Sequence, residues 1–348
     1  MKLIAPFLPV FIAQCVKQPA NPTPPSSFSK LSFACKCTGS SCDTFTPAPT
    51  PSYGSAAVVS TSMAGDRLTQ KPNIKLTNQG RPSSDPAAIQ TWSGRWLYST
   101  QRFQNWGTTI NDASAILLAN LTSDAQSSLL ESMFDPDTGN NIGLIRTNIG
   151  SSQFSTEPYT LDENPDPSLS NFALSSYDTE YKVPLFQKLA DLGYKVSLNP
   201  VLWSPPTWMK TTGLENLGNV IPTTDNLQSL ANYLLKYVEA MIEYINVFAV
   251  SPANTPVSHE NGYPNVEWGL ENYALYIVTY ISQVFLNNFP EIKIITNEER
   301  ETPTMYVENL VGLVEDSVNR YSDLDISNLA FYGVHQGFRP SLKAASAI

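Results

Sequence analysis

The sequence predicts an α/β fold on a parallel sheet, arranged as the strand–helix units of a (β/α) barrel. Three observations carry this expectation. From about residue 101, short β-prone runs alternate with longer helical patterns. The helical stretches hold their apolar residues on one face: Leu227, Leu230, Leu234, Tyr237, Val238, Met241 and Ile245 recur at helical spacing in "NLQSLANYLLKYVEAMIEYI". No Gly-rich phosphate fingerprint follows the first strand, which argues against a doubly wound dinucleotide-binding sheet.

The elements follow in chain order. Residues 1–13, "MKLIAPFLPVFIA", have one Lys and then an apolar run ending in a small residue, the layout of a secretory signal peptide. The run is too short to span a bilayer. Residues 14–100 are rich in Pro, Ser and Thr, and runs such as "SAAVVSTS" and "TWSGRWLYS" predict small antiparallel strands. "KQPANPTPPSSFS", ahead of both runs, reads as a tether. Residues 101–348 carry the barrel. Its strands are expected in "FQNWGTTIND", "IGLIRTNIG", "KVSLNPVLW", "NVFAVSPAN", "IKIITNEER" and "LAFYGVHQ". Ser123 and Gln126 have the spacing of a capping box ahead of one helix, and Gly193 is a suitable stop after another. Six units are visible where a closed barrel of this type needs eight. The expectation is therefore an incomplete barrel that ends after its sixth strand.

Composition narrows the function. A chain of 348 residues with 42% hydrophobic residues can bury a full core. Its net charge of −10 and the lack of any Lys/Arg run make nucleic acid an unsuitable partner. Cys15, Cys35, Cys37 and Cys42 all fall in the first 42 residues. An even count behind a signal peptide implies disulfides, and four cysteines allow three pairings. The two histidines, His259 and His335, are far from this run, so a zinc site is not expected. Asn120, in "NLT", is a glycosylation acceptor for a secreted chain.

Chemistry in a parallel barrel gathers at the C-terminal tips of the strands. The residues expected there are Asp112, Gln153, Trp203, Asn254, Thr255, Glu298, Glu299 and His335. Asp112 can serve either as the N-cap of "ASAILLAN" or as a ligand contact. Glu298 and Glu299 read as a solvated loop with Arg300. Trp203 and Trp208, on the proline-bracketed loop "LWSPPTWMK", can stack on a sugar or simply pack. No cofactor or metal is called for.

Several stretches together are more specific than their members. "VLWSPPTWMKTTG", "AVSPANTP" and "NGYP", in that order, resemble glucosylceramidases of glycoside hydrolase family 30, the lysosomal glucocerebrosidase type. "FQNWGTTINDASA", "IGLIRTNIGSSQFS" and "SFACKCTGSSCDTF" are similar to further segments of that family, and the order is collinear from about residue 15. The resemblance implies a (β/α)8 barrel with small β domains, and disulfides Cys15–Cys35 and Cys37–Cys42. It also implies a glycosidase of sphingolipid metabolism in the secretory pathway, lysosomal or extracellular. Its partners would be a glycolipid or β-glucoside ligand, a saposin-type activator and a membrane surface touched only peripherally.

The family reaction is retaining hydrolysis, which uses two carboxyl groups about 5 Å apart. By resemblance, the acid/base Glu of the family's Asn-Glu-Pro tip is Thr255 here, between Asn254 and Pro256. The family nucleophile belongs to a seventh strand, beyond the His335 motif. A sugar-binding Asp of the family is Gln153 here, and a Trp-Tyr pair is Gln336 and Gly337. Trp203, Asn254, Tyr263, His335 and Gln153 remain as candidates to contact substrate, with no intact catalytic residue. Rescue by Glu260 or Glu298 is not expected, because catalytic placement tolerates only small displacements. The sequence thus predicts a glucosylceramidase-like chain that is inactive or strongly impaired, with a non-catalytic glycan binder or a truncated product as the alternative.

Overall fold

The structure is a computed structural model that describes residues 17–19, 33–35, 50–61, 68–76, 105–256, 263–299, 303–320 and 324–334. The chain divides into two compact units, Met1–Asn105 with Ser127–Asn141, and Trp106–Gln126 with Ile142–Ile348.

In the first unit, β1 (Lys17–Pro19) pairs antiparallel with β2 (Phe33–Cys35), Lys17 facing Cys35. The start of the expected tether is therefore a strand. β3 (Ser55–Ser60) and β4 (Thr69–Lys75) form a second antiparallel ribbon, which places the strand expected in "SAAVVSTS". β4 is exposed along its whole length. Cys15, Cys37 and Cys42 and the run "TWSGRWLYS" lie outside the described residues, as do His335, Gln336 and Gly337.

The second unit is a run of parallel strands joined by helices. β5 (Trp106–Thr109) is followed by α1 (Asp112–Ala119) and α2 (Ser123–Phe134), whose C-terminal part belongs to the first unit. Next come β6 (Ile142–Ile149), a π-helical turn over Tyr177–Lys182 that runs into α3 (Val183–Asp191), and β7 (Ser197–Leu202). α4 (Thr224–Met241) leads to β8 (Asn246–Val247) and β9 (Ala249–Val250). α5 (Leu270–Leu275) and α6 (Ser282–Asn288) flank a second π-helical turn, Tyr276–Ile281. β10 (Lys293–Glu299), α7 (Pro303–Arg320) and β11 (Leu329–Val334) complete it. β5, β6, β7 and β8 pair in that order, all parallel, and so do β9, β10 and β11. A parallel bridge between Val201 and Ser251 links the two sets.

β6 and β7 are largely covered on both faces, which is why they read as nearly continuous apolar runs, whereas β5 is mostly exposed. Ile145, Ile149, Leu198, Val201 and Leu202 are fully buried, and so are Leu230, Leu234, Tyr237, Val238 and Met241 of α4. Ile245 is also buried but lies past the end of that helix. Gly193, at φ +79°, sits just beyond α3 in the left-handed conformation that ends a helix.

Three expectations change in detail. "NVFAVSPAN" is an interrupted strand. Leu198 pairs with Val247 and Val201 with Ser251, so three steps along β7 meet four along its partner. The extra residue falls opposite Pro200. Its carbonyl accepts from Ser251 at 2.9 Å, but it has no N–H to give the same neighbour. The cap of α2 is Thr122, whose hydroxyl accepts from Ala125 N at 3.3 Å. Gln126, expected to reach back to the cap, instead donates to the Leu118 carbonyl at 2.9 Å. Finally, the backbones of Glu298 and Glu299 are strand, paired with Gly333 and Val334, and do not form a loop.

Candidate functional site

A cavity of about 320 Å³ opens at the C-terminal ends of the strands. β5 supplies Thr109 and the residue Asn111 just beyond it, and β6 supplies Arg146 with Gln153 and Phe154 from its following loop. Trp203 follows β7, Asn254 and Thr255 follow β9, and Tyr263 closes the wall. The fold thus brings together five residues singled out from the sequence: Gln153, Trp203, Asn254, Thr255 and Tyr263. A second cavity, about 390 Å³, lies at the start of β7 and β8, where parallel barrels keep stability and not chemistry.

The residues of the first cavity are linked to one another. Arg146 Nη2 donates to Asn254 Oδ1 at 2.9 Å, and its guanidinium lies 4.6 Å from the centre of the Trp203 ring. Trp203 Nε1 donates to Gln153 Oε1 at 2.9 Å. The indole is only 4% exposed. With its N–H engaged and a cation on one face, Trp203 acts as a wall. The more open aromatic is Phe154, 49% exposed. Burial raises the Tyr263 phenol above its usual range. Asn254 is buried with its carbonyl oxygen turned to Arg146, so its amide N–H₂ is the group it can offer to a ligand oxygen. Trp208 does not line the cavity; its indole donates to the Asp162 carbonyl at 3.2 Å.

Thr255 is the unusual member. It is buried, and its φ of +46° is a conformation that β-branched residues rarely adopt. Its hydroxyl can donate and accept hydrogen bonds but does not release a proton near neutral pH. Among the described residues lining the cavity there is no carboxylate.

Asp112, next to the cavity-lining Asn111, is not the cap of α1. Asn111 is the cap of α1, accepting from Ser114 N at 3.0 Å. Asp112 is fully buried and pairs with Lys182 at 2.7 Å, while Asp178 pairs with the same ammonium at 3.0 Å. Asn148 Nδ2 and the Tyr159 hydroxyl donate to Asp112 at 3.1 and 3.0 Å, and Ser155 adds a further bond. The loop bearing Gln153 and Phe154 is held by Ser155 and Tyr159. Burial works against the charge on Lys182, but Asp178, Tyr237 and Asp112 outweigh it and hold the ammonium above the usual lysine range.

A second buried lysine, Lys210, lies behind the residues that follow Trp203 and Tyr263. Lys210 Nζ donates to Asn265 O at 2.7 Å, Glu215 O at 2.8 Å and the Ser204 hydroxyl at 3.1 Å. Burial without a bonded carboxylate pulls it down to about 8, against the weaker pull of Glu215 and Glu267. Arg146 and Lys210 were not singled out from the sequence. A signal for the first exists, since Arg146 is a lone cation inside the apolar strand run "IGLIRTNIG".

Residues 103–267 match the glycosyl hydrolase family 30 TIM-barrel domain. That match takes in just under half of the chain. It is similar to lysosomal acid glucosylceramidase of Mus musculus, 29% identical over 252 residues, which covers 70% of this chain and 48% of that protein. It is also similar to an endo-1,6-beta-D-glucanase of Neurospora crassa, 26% identical over 215 residues, which covers 55% of this chain and 42% of the relative. The chain thus spans about half the length of the curated relatives it matches. Its fold matches the solved structure of SrfJ from Salmonella typhimurium at a TM-score of 0.66 with 18% identity, covering 81% of this chain and 60% of that one. A TIM-barrel fold accounts for the parallel strand order and for a cavity at the strand tips. Asn120 follows α1 on the surface, its amide donating to Ile116 O at 3.0 Å.

Proposed function

We propose that the cavity binds the glucosyl end of a glycolipid or other β-glucoside, and that this chain hydrolyses the bond poorly or not at all. One observation carries the reading. Thr255 stands at the strand tip where the family's resemblance calls for the acid, and no described residue lining the cavity is a carboxylate. Retaining hydrolysis needs a proton donor for the leaving oxygen, and acid/base catalysis alone is worth ~10²–10⁴ in rate. Binding asks less. The amide of Asn254, the amide of Gln153 and the rims of Phe154 and Tyr263 offer hydrogen bonds and apolar surface without needing a proton transfer.

A glucosyl unit is common to the names of the mouse glucosylceramidase and the Neurospora glucanase. This makes the sugar, more than its aglycone, the part the cavity reads. The reading includes the secretory route, a lysosomal or extracellular destination, disulfides among the four cysteines and an activator of the saposin type.

The test uses one probe, 4-methylumbelliferyl β-D-glucoside, with the purified chain at pH 5. Titration calorimetry is expected to show binding that Asn254→Leu abolishes, with no fluorophore released above a protein-free blank. Release at a rate on the order of 10²-fold or more above that blank overturns the loss of activity. Equal binding by Asn254→Leu removes the cavity as the site.

A further inference from the structure

We propose that Lys210 is a positioning residue of this site: its ammonium ties the Trp203 wall to the Tyr263 wall and so sets the spacing between them. The inference rests on the sugar-binding reading of the cavity, and it names a residue that touches neither ligand nor cavity.

The geometry is direct. Lys210 is only 3% exposed, and its three bonds go to three separate points of the chain. Ser204 is the residue after Trp203. Asn265 lies two residues beyond Tyr263, and Glu215 sits between them on the loop from β7 to α4. The far part of the same two segments is joined by backbone bonds, Asn265 N to Glu215 O at 3.0 Å and Glu267 N to Gly218 O at 3.1 Å. Nearest Trp203, the Ser204 hydroxyl also donates to Glu215 O at 2.9 Å, and the lysine adds the direct tie from Ser204 to the Asn265 carbonyl.

An ammonium has three N–H donors, and here three acceptors use them. A neutral amine has two donors and a lone pair, so loss of the proton removes one tie and turns the lone pair toward an oxygen. The charged groups facing Lys210 are Glu215 and Glu267, and neither bonds to it. Because burial lowers its proton affinity to about 8, this change falls within a range that can be titrated without unfolding the chain.

Two measurements test the proposal in the full chain. The first is affinity for 4-methylumbelliferyl β-D-glucoside from pH 6 to 9.5 in wild type and Lys210→Met. Wild-type affinity is expected to fall about tenfold as pH rises through about 8, the scale of one charge-assisted hydrogen bond. Lys210→Met should be weak throughout, with no step near 8. Equal affinity in the two proteins, or the same pH profile in both, overturns the proposal. If Lys210→Met fails to fold by circular dichroism, the wild-type profile decides: a fall supports the proposal and a flat profile overturns it. The second measurement needs no ligand. Hydrogen exchange at pH 7 should speed up in the variant both around Ser204 and around Asn265, and unchanged exchange at either overturns the link. In wild type, the same amides should lose protection, beyond the intrinsic rise in exchange with pH, as pH passes 8. Absence of glucoside binding by wild type at pH 6 overturns the functional reading alone, and the exchange results still decide the role of Lys210.

Discussion

Two lysines are buried beside the same cavity, and they are held in opposite ways. Lys182 lies between Asp112 and Asp178, with the carbonyl of Asn148 at 3.3 Å. Lys210 lies among two carbonyls and a hydroxyl, with no carboxylate bonded to it. The first is a charge balanced by charge, and its proton is held more firmly than in water. The second is a charge balanced by dipoles, and its proton is held less firmly. The difference matters for the walls they anchor. The Lys182 network anchors the exposed loop of Gln153 and Phe154 to the core, through Ser155 and Tyr159. The Lys210 cage joins the segments after Trp203 and Tyr263 with a group that can change state.

The largest effect should come from breaking the charged network. Lys182→Met leaves two buried carboxylates without their cation, and a loss of about 3–5 kcal/mol in unfolding free energy is expected from urea denaturation. A loss under about 1 kcal/mol would mean that water reaches the pair and that the two lysines are alike after all. Lys210→Met should cost less, about 1–2 kcal/mol at pH 7. It leaves carbonyl oxygens short of a donor but also removes a buried charge. Its pH signature is distinct. Between about 8 and the ordinary lysine value of 10.5, the unfolded chain keeps a proton that the native chain has released. Wild-type stability relative to Lys210→Met should therefore rise with pH across that window, because the native state no longer buries the charge. Denaturation midpoints at pH 7 and 10 check this, and a gap that shrinks on raising the pH would break the contrast. The same deprotonation loosens one hydrogen bond between the walls, so global stability and wall spacing respond in opposite directions.

The contrast also marks what could be read from the sequence. β6, β7 and α4 were legible because burial on both faces or along one stripe is a local pattern. The tip Asn254-Thr255-Pro256 was legible because its resemblance is carried by adjacent residues. What escaped depends on partners far along the chain. Asp112 looked like a cap from its neighbours, but its partner Lys182 lies beyond α2 and β6, at the end of a π-helical turn. The break between β8 and β9 has its cause in Pro200, on a different strand. Lys210 sits in "WMKTTG", between an apolar pair and two threonines, and nothing in that stretch foretells a cage built partly by Asn265. Pairings of this kind are decided by which loops meet above the sheet, and that is not a property of either loop alone.

The smallest effect belongs to Thr255, which lines the cavity but is bonded by neither lysine. At φ +46° its β-branched side chain is strained against its own backbone, a cost of order 1–3 kcal/mol for such conformations. Glycine adopts this conformation freely, but it gives up about 0.5–1 kcal/mol to the greater freedom of the unfolded chain. Thr255→Gly should therefore stabilise the protein slightly, by up to about 1 kcal/mol in urea. Thr255→Val, equally branched and without the hydroxyl, should not stabilise it. If both variants stabilised equally, the strain would lie in burying the hydroxyl and not in the backbone. If neither did, the surrounding bonds, Asn254 N to Leu202 O at 2.7 Å and Trp268 N to Pro256 O at 2.8 Å, would be holding the tip in a shape that costs it nothing. The expected result, stabilisation by glycine alone, would mean that the tip keeps a strained backbone even with a threonine where the family's resemblance calls for an acid. Its shape would then be set by the strands and loops around it, independently of the side chain it carries.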